Sequence, residues 1–326
     1  MKFAIIGAGA IGGYLGAKLA LAGEEVTFLV RGAHLEAIRA RGVRVIAADG
    51  SEQITRNVRA TDDYRAAGAH DVVVLAMKAH QLGVVAEQVH LLCGPATVMV
   101  PMQNGMPYWY FHKLAGPLRD HTLQSVDPDG RIGRAIPADR VIGCVVYPAS
   151  ELLEPGVVRH IEGDRFPLGE LDGSISERAR ALGDAFERAG FKAPLLPDIR
   201  AEIWLKLWGN LVFNPVSALT RATLEDICRF APTRELAARM MAEAQAVAAQ
   251  LGVTFRVSID KRIAGAERVG AHKTSMLQDI EAGREPEIEA LVGSVVELAR
   301  LTDTRTPHID AVYALTRLLG RSVVAA

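Results

Sequence analysis

The chain opens on a short apolar run, Lys2-Phe3-Ala4-Ile5-Ile6, and repeats one at Val26-Thr27-Phe28-Leu29-Val30, with the helix-compatible stretch Tyr14 to Ala22 between them. Apolar runs of this length, without polar alternation, read as strands buried on both faces, as in a parallel sheet covered by helices. The first thirty residues therefore predict strand, tight turn, helix, strand. Asp71 to Ala76, Thr97 to Val100 and Val141 to Val146 are further short β-branched runs and extend a twisted, mostly parallel sheet. Val43 to Ile46 and Ile54 to Val58, separated by Asp49-Gly50-Ser51, predict a hairpin inserted into that sheet. Turn residues at Pro155-Gly156 and Gly163-Asp164 separate short strands, and Ser174 to Ala189 predicts an amphipathic helix opened by a serine.

Pro194 and Pro197 end the alternation of strands and helices. Beyond them the apolar spacing is helical, over 199–213, 232–251, 258–271, 285–302 and 307–319. The 326 residues accordingly divide into an α/β domain over 1–197 and an all-α domain over 198–326, as the length leads one to expect.

Composition removes several classes of function. The hydrophobic fraction of 49% and charged fraction of 23% are those of a folded globular chain. Thirty-seven basic against thirty-eight acidic side chains give a net charge of -1, so no bulk attraction draws the chain to nucleic acid or to an anionic membrane. The N-terminal apolar run superficially resembles a secretory signal, but Gly7, Gly9, Gly12, Gly13, Gly16 and Lys18 interrupt it, and no other stretch is long and uncharged enough to span a bilayer. Cys93, Cys144 and Cys228 are odd in number and form no CxxC pair, which suits a reducing, cytoplasmic setting and small buried hydrophobes. The nine histidines form no ligand-spaced cluster, so no metal is expected.

Several segments carry candidate chemistry, four of them in the first domain. Gly7-x-Gly9-x-x-Gly12, with Ala10 and Ile11 at the intervening positions, lies between a strand and a helix. In that context glycines permit the tight turn and let backbone N–H groups approach a pyrophosphate at the helix N-terminus, so the first domain reads as a Rossmann-type dinucleotide fold. The second strand ends Leu29-Val30-Arg31 where an acid would favour NAD; Arg31 suits the 2′-phosphate of NADP(H), or is a solvated surface arginine. Lys78 follows another strand end and is placed to add charge to the ligand crevice. Gln103-Asn104-Gly105 brings two amides to the same sheet edge, as an orienting site or an ordinary Asn-Gly turn.

In the helical half, Lys206, Asn210 and Asn214 recur every four residues and share one helix face, while Trp204, Trp208 and Leu211 share another. Asparagines are poor helix formers, so this face reads as the wall of a polar cleft rather than as a solvated surface. Pro286 suits the first turn of a helix with the apolar stripe Ile288, Leu291, Val292, Val295 and Val296; Glu287 near that end is explained by the helix dipole alone.

Together the Gly7–Gly12 loop with Arg31, Lys78-Ala79-His80-Gln81, Gln103-Asn104-Gly105, Lys206 through Asn214-Pro215, Ser217-Ala218-Leu219-Thr220, Ser275 to Asp279 and Glu287-Ile288-Glu289 resemble the ketopantoate reductase (2-dehydropantoate 2-reductase) family over essentially the whole chain. The resemblance implies NADPH-dependent reduction of 2-dehydropantoate to (R)-pantoate, in a cleft between a Rossmann domain and a helical domain. By matched position it implies that Lys206 is the general acid and that Glu287 hydrogen-bonds the reacting oxygen. Asn210, Asn214 and Ser275 then hold the substrate, Asn104 orients cofactor and substrate, and Arg31 and Lys78 meet the NADPH phosphates. After Gly105 the run Met106-Pro107-Tyr108-Trp109-Tyr110-Phe111 and the polar, turn-rich stretch around Asp127-Pro128-Asp129-Gly130 are longer and more aromatic than the family pattern, as a surface elaboration packed on the sheet or as a lid that changes which 2-oxo acid fits. A reductase of another 2-oxo acid and a non-catalytic NADP(H) sensor are the alternatives. The apolar terminal helices are compatible with a homodimer.

Overall fold

A computed structural model describes residues 1–325. The chain forms two compact units, the first made of Met1–Gln103, Tyr108–Thr122 and Asp129–Ile199, the second of Asn104–Pro107, Leu123–Pro128 and Arg200–Ala326. Two short stretches inside the first 197 residues therefore cluster with the helical unit.

In the first unit, β1 (Lys2–Ile6), β2 (Glu25–Leu29), β5 (Arg59–Thr61), β6 (His70–Leu75) and β7 (Cys93–Pro101) make a five-stranded sheet in the order β5-β2-β1-β6-β7. All its pairings are parallel. The order reverses between β1 and β6, and in open sheets of this kind the crevice beyond the strand ends at such a reversal is where ligands bind.

The expected hairpin exists but lies elsewhere. β3 (Val43–Ile46) and β4 (Glu52–Thr55) join β9 (Ala149–Glu154) and β10 (Val157–Glu162) in a separate sheet ordered β4-β3-β10-β9. The edge of the main sheet is instead β5, three residues too short to register as a hydrophobic run. The run near Val141 also leaves the main sheet: β8 (Ile142–Cys144) pairs antiparallel with β11 (Leu168–Glu170), touching β7 through a Met99–Val141 bridge.

Helix α1 (Ala10–Leu21) lies between the two larger sheets, which explains its glycines. A Cβ on Gly13 would stand 2.8 Å from Val158 of β10, and one on Gly16 2.5 Å from the Phe28 ring of β2. The segment that superficially mimics a secretion signal is thus a buried sheet strand followed by a helix packed between two sheets. Around it the core gathers Phe3, Ile5, Leu15, Leu19, Phe28, Val72, Val74, Phe166, Leu182 and Phe186. Helices α2 (Gly32–Arg41), α3 (Tyr64–Ala67), α4 (Ala79–Val89), α5 (Arg131–Ala135) and α6 (Glu177–Arg188) complete the unit. The serine opening α6 is Ser176, whose hydroxyl accepts from Ala179 N at 3.1 Å, rather than Ser174. Within the aromatic segment, Trp109, Tyr110 and Phe111 are buried and Trp109 sits where Gly143 of β8 has no side chain, so these residues pack as part of this unit.

The second unit consists of α7 (Ile199–Thr220), α8 (Leu224–Arg229), α9 (Ala231–Gln250), α10 (Ile259–Arg268), α11 (Ser275–Glu281), a π turn at Glu289–Gly293, α12 (Ser294–Leu301) and α13 (Pro307–Ala325). Helix α7 runs beyond 213 and through Pro215. An interior proline costs about 3 kcal/mol. Val212, Phe213, Val216 and Ala218 are all buried, and at about 1.5–3 kcal/mol for each larger apolar side chain their burial outweighs that loss. The expected helix from 285 begins only at Ile288: Pro286 and Glu287 lie outside it, and the Ile288 N–H donates to Pro286 O at 2.9 Å in a tight turn. Its apolar stripe is nonetheless buried throughout. No helix among the described residues is long and apolar enough to cross a membrane.

Candidate active site

The glycine loop is built by contacts that leave room for nothing larger. Gly7 has φ +94°, a left-handed value that disfavours a side chain, and its N–H donates to Leu29 O at 3.1 Å, tying the loop to β2. A Cβ on Gly12 would overlap the Gly7 carbonyl and stand 2.8 Å from Ala76 Cβ. At Gly9 the surroundings are open to 4 Å, so the exposed side of the loop is there. Gly9 caps α1 without a side-chain hydrogen bond, and Gly13 N to Gly9 O, 2.8 Å, closes the first helical turn. The N–H groups of Ala10, Ile11 and Gly12 therefore lack acceptors inside the helix and make an anion-ready terminus.

Arg31 caps α2, is exposed and makes no ion pair. Its charge acts on Tyr64, whose hydroxyl is pushed up to about 12 by burial, with Arg31 pulling the other way. No carboxylate occupies the end of β2. Lys78 is half-buried at the N-terminus of α4, beyond the end of β6. That connection is braced by Gln103, whose side-chain amide donates to Leu75 O at 2.7 Å and Met77 O at 3.0 Å. Of the two adjacent amides, Gln103 is thus committed to the backbone.

Asn104 goes to the other unit, where its Oδ1 accepts from Lys206 Nζ at 2.7 Å. Lys206 is half-buried on α7; Asn210 and Asn214 follow one and two turns later, Asn214 only 6% exposed. Neither asparagine side chain hydrogen-bonds within the protein. On the far side of the helix Trp204 and Trp208 are completely buried, Trp208 Nε1 donating to Met241 O at 2.8 Å and its ring stacking on Phe255 at 4.1 Å. That anchoring fixes which face is left for Lys206 and the asparagines.

Ser275 is exposed at the first position of α11, whose N-cap is Thr274, and Glu287 is half-buried just before the π turn. Two neighbours were not legible in the sequence. The Arg262 guanidinium packs against Gly209, where a Cβ would overlap it, one turn from Lys206. Ala290 O receives the Met106 N–H at 2.8 Å, beside the loop that carries Asn104. Among the described residues no group of three or more His, Cys, Asp or Glu side chains is arranged to hold a metal ion.

Chemically, the first unit offers a dinucleotide cradle with a free cation at the adenosine end. The second offers an ammonium held by an amide, with two unsatisfied amides along the same helix.

Comparison with known proteins gives the same two parts. Residues 3–173 match the family model "Ketopantoate reductase PanE/ApbA" and residues 198–320 match "Ketopantoate reductase PanE/ApbA C terminal". The chain is 55% identical over 321 residues to the 2-dehydropantoate 2-reductase of Mesorhizobium japonicum, covering 98% of each. It superposes with TM-score 0.94 on a structure described as a ketopantoate reductase from Ralstonia solanacearum MolK2, at 43% identity and 98% coverage of both chains. The 2-dehydropantoate 2-reductase structure from Geobacter metallireducens gives TM-score 0.84 at 27% identity, over 98% of this chain and 99% of that one. With both halves matched in order, the chain belongs to the ketopantoate reductase family.

Proposed function

We propose that the protein reduces 2-dehydropantoate to (R)-pantoate with NADPH, its residues 1–197 serving the cofactor and 198–326 the substrate. The single observation that carries the reading is the Lys206–Asn104 hydrogen bond on a helix face whose next two polar residues, Asn210 and Asn214, have no protein partner. A polar face of this kind leaves hydrogen-bonding capacity for a ligand, because Asn210 and Asn214 spend none of theirs on protein groups.

The residues present fit NADPH. Gly12 lacks the Cβ that would block the turn, Gly9 is open, the N–H groups of Ala10, Ile11 and Gly12 point to no helical acceptor, and Arg31 is exposed and makes no ion pair. Gly7, Gly9, Ala10, Ile11 and Gly12 would cradle the pyrophosphate, Arg31 the 2′-phosphate, and Lys78 further phosphate charge. When bound, NADPH supplies the hydride.

Reduction of a ketone builds negative charge on its oxygen. Lys206 stabilises that charge through its ammonium and gives the proton that completes the alcohol, a role worth about 10²–10⁴-fold. Asn104 accepts one ammonium hydrogen and so restricts the directions of the others. Glu287 accepts from the hydroxyl that forms at the reacting oxygen, and Asn210, Asn214 and Ser275 hold the hydroxyl and carboxylate of the substrate. The reading places the enzyme in the cytoplasm, a reducing setting in which the free thiols of Cys93, Cys144 and Cys228 persist. It includes a homodimer, supported by Leu315 and Leu318 exposed on α13.

The test is NADPH consumption by purified protein with 2-dehydropantoate and with a panel of other 2-oxo acids. Preferential turnover of 2-dehydropantoate supports the reading. Exclusive turnover of another acid overturns the substrate, and cofactor binding without turnover overturns the catalysis.

A further inference from the structure

Resting on the role assigned to Lys206 above, we propose that the π turn at Glu289–Gly293 is a positioning device for that lysine, acting through Gly105 and Asn104. In a regular α-helix the N–H of Ser294 would bond the carbonyl four residues back, that of Ala290. Here it bonds Glu289 O, five residues back. The register shift releases Ala290 O from Ser294 N, and the carbonyl accepts instead from Met106 N at 2.8 Å and from the Ser294 hydroxyl at 2.8 Å.

The loop that reaches this carbonyl has no freedom at the point of contact. Gly105 has φ +87°, and a Cβ there would overlap the backbone oxygen of Ala290. One residue earlier, Asn104 presents Oδ1 to Lys206 Nζ at 2.7 Å. An ordinary Asn-Gly turn needs the positive φ but no carbonyl from another helix. The partner here is available because of a helical irregularity that is rare and concentrates at functional sites.

The π turn is itself braced from α13. Tyr313 Oη donates to Glu289 Oε2 at 2.6 Å and Arg317 Nε lies 3.2 Å from Glu289 Oε1. Gly293 has no room for a side chain beside Tyr313 Oη, which would stand 3.0 Å from a Cβ. The line of contacts runs from α13 through the π turn to Ala290 O, Met106 N, Asn104 and Lys206, all inside the second unit. Gly105 and the Ala290 carbonyl touch none of the reacting atoms on this account; they fix the residue that orients Lys206.

The test is a double-mutant cycle on the full chain. Gly105→Ala should lower kcat about tenfold or more while the KM for NADPH stays within about twofold, and in an Asn104→Ala background the same change should cost less than about twofold. Additive losses, or a Gly105→Ala enzyme with undiminished kcat, overturn the proposal. If Gly105→Ala does not fold, amide hydrogen exchange of the native protein decides: slow exchange at Met106 supports the clasp, and exchange at the rate of a free amide overturns it. Lys206→Ala is measured alongside. Full turnover in that variant refutes the role of the lysine, whereas collapse there together with an additive cycle refutes the positioning alone.

Discussion

Lys206 and Asn104 are 102 residues apart in sequence and joined by a 2.7 Å hydrogen bond from Nζ to Oδ1. The bond links the amide loop that follows β7 to the polar face of α7, and it divides that helix into a face for chemistry and a face for folding.

The division predicts opposite phenotypes for two residues of one helix. Lys206→Ala should lower kcat by about 10²–10⁴-fold with little change in the denaturation midpoint. Trp204, completely buried, should behave in reverse: Trp204→Ala should cost about 3–5 kcal/mol of stability in a urea titration.

Asn214 separates a binding role from a structural one. It is 6% exposed and makes no side-chain hydrogen bond in the protein, so Asn214→Leu breaks no internal hydrogen bond and fills about the same space. Stability should hold or rise, while the KM for the oxo acid rises about tenfold, the order expected for a lost ligand hydrogen bond. A drop in stability with an unchanged KM would make Asn214 a packing residue.

Arg31 sets the cofactor preference. With no ion-pair partner to lose, Arg31→Ala should weaken NADPH by about 10–100-fold, the worth of charge-assisted hydrogen bonds, and NADH by far less. Fluorescence titration with each cofactor measures the two. Equal losses would return Arg31 to the solvated surface.

His70 gives the fold a pH dependence unrelated to catalysis. It is 8% exposed, and burial holds its imidazole below the usual histidine range, reinforced by the charges of Arg59 and Lys2 and opposed by the Gly68 carbonyl and Asp71. The unfolded chain then binds the proton first as pH falls, so stability declines from just above the ordinary histidine value of 6.5 down to the lower folded value. Thermal unfolding across that window should show a shallower slope for His70→Gln than for the native protein.

The sequence made the outline of this molecule visible because its strands are continuous apolar runs and its glycine spacing matches a turn with a physical purpose. Arg31, Lys206, Asn210 and Asn214 could be singled out by residue type and period alone. The destination of the 43–58 hairpin could not, since register within a strand does not say which sheet it joins. The π turn was invisible for a similar reason: Ile288, Leu291, Val292, Val295 and Val296 fit a plain helical stripe, and the tertiary contact made at the irregularity, Met106 N to Ala290 O, comes from a distant loop. Gln103 and Asn104 likewise looked equivalent as neighbouring amides until the fold sent one to Leu75 and Met77 and the other to Lys206.

The most direct test is the rate at which the purified protein converts 2-dehydropantoate and NADPH to (R)-pantoate, with Lys206→Ala run beside it and the product resolved on a chiral column. The account predicts (R)-pantoate in step with NADPH loss from the native enzyme and a rate about 10²–10⁴-fold lower from the variant. No pantoate from the native protein, or equal rates from both, would contradict it.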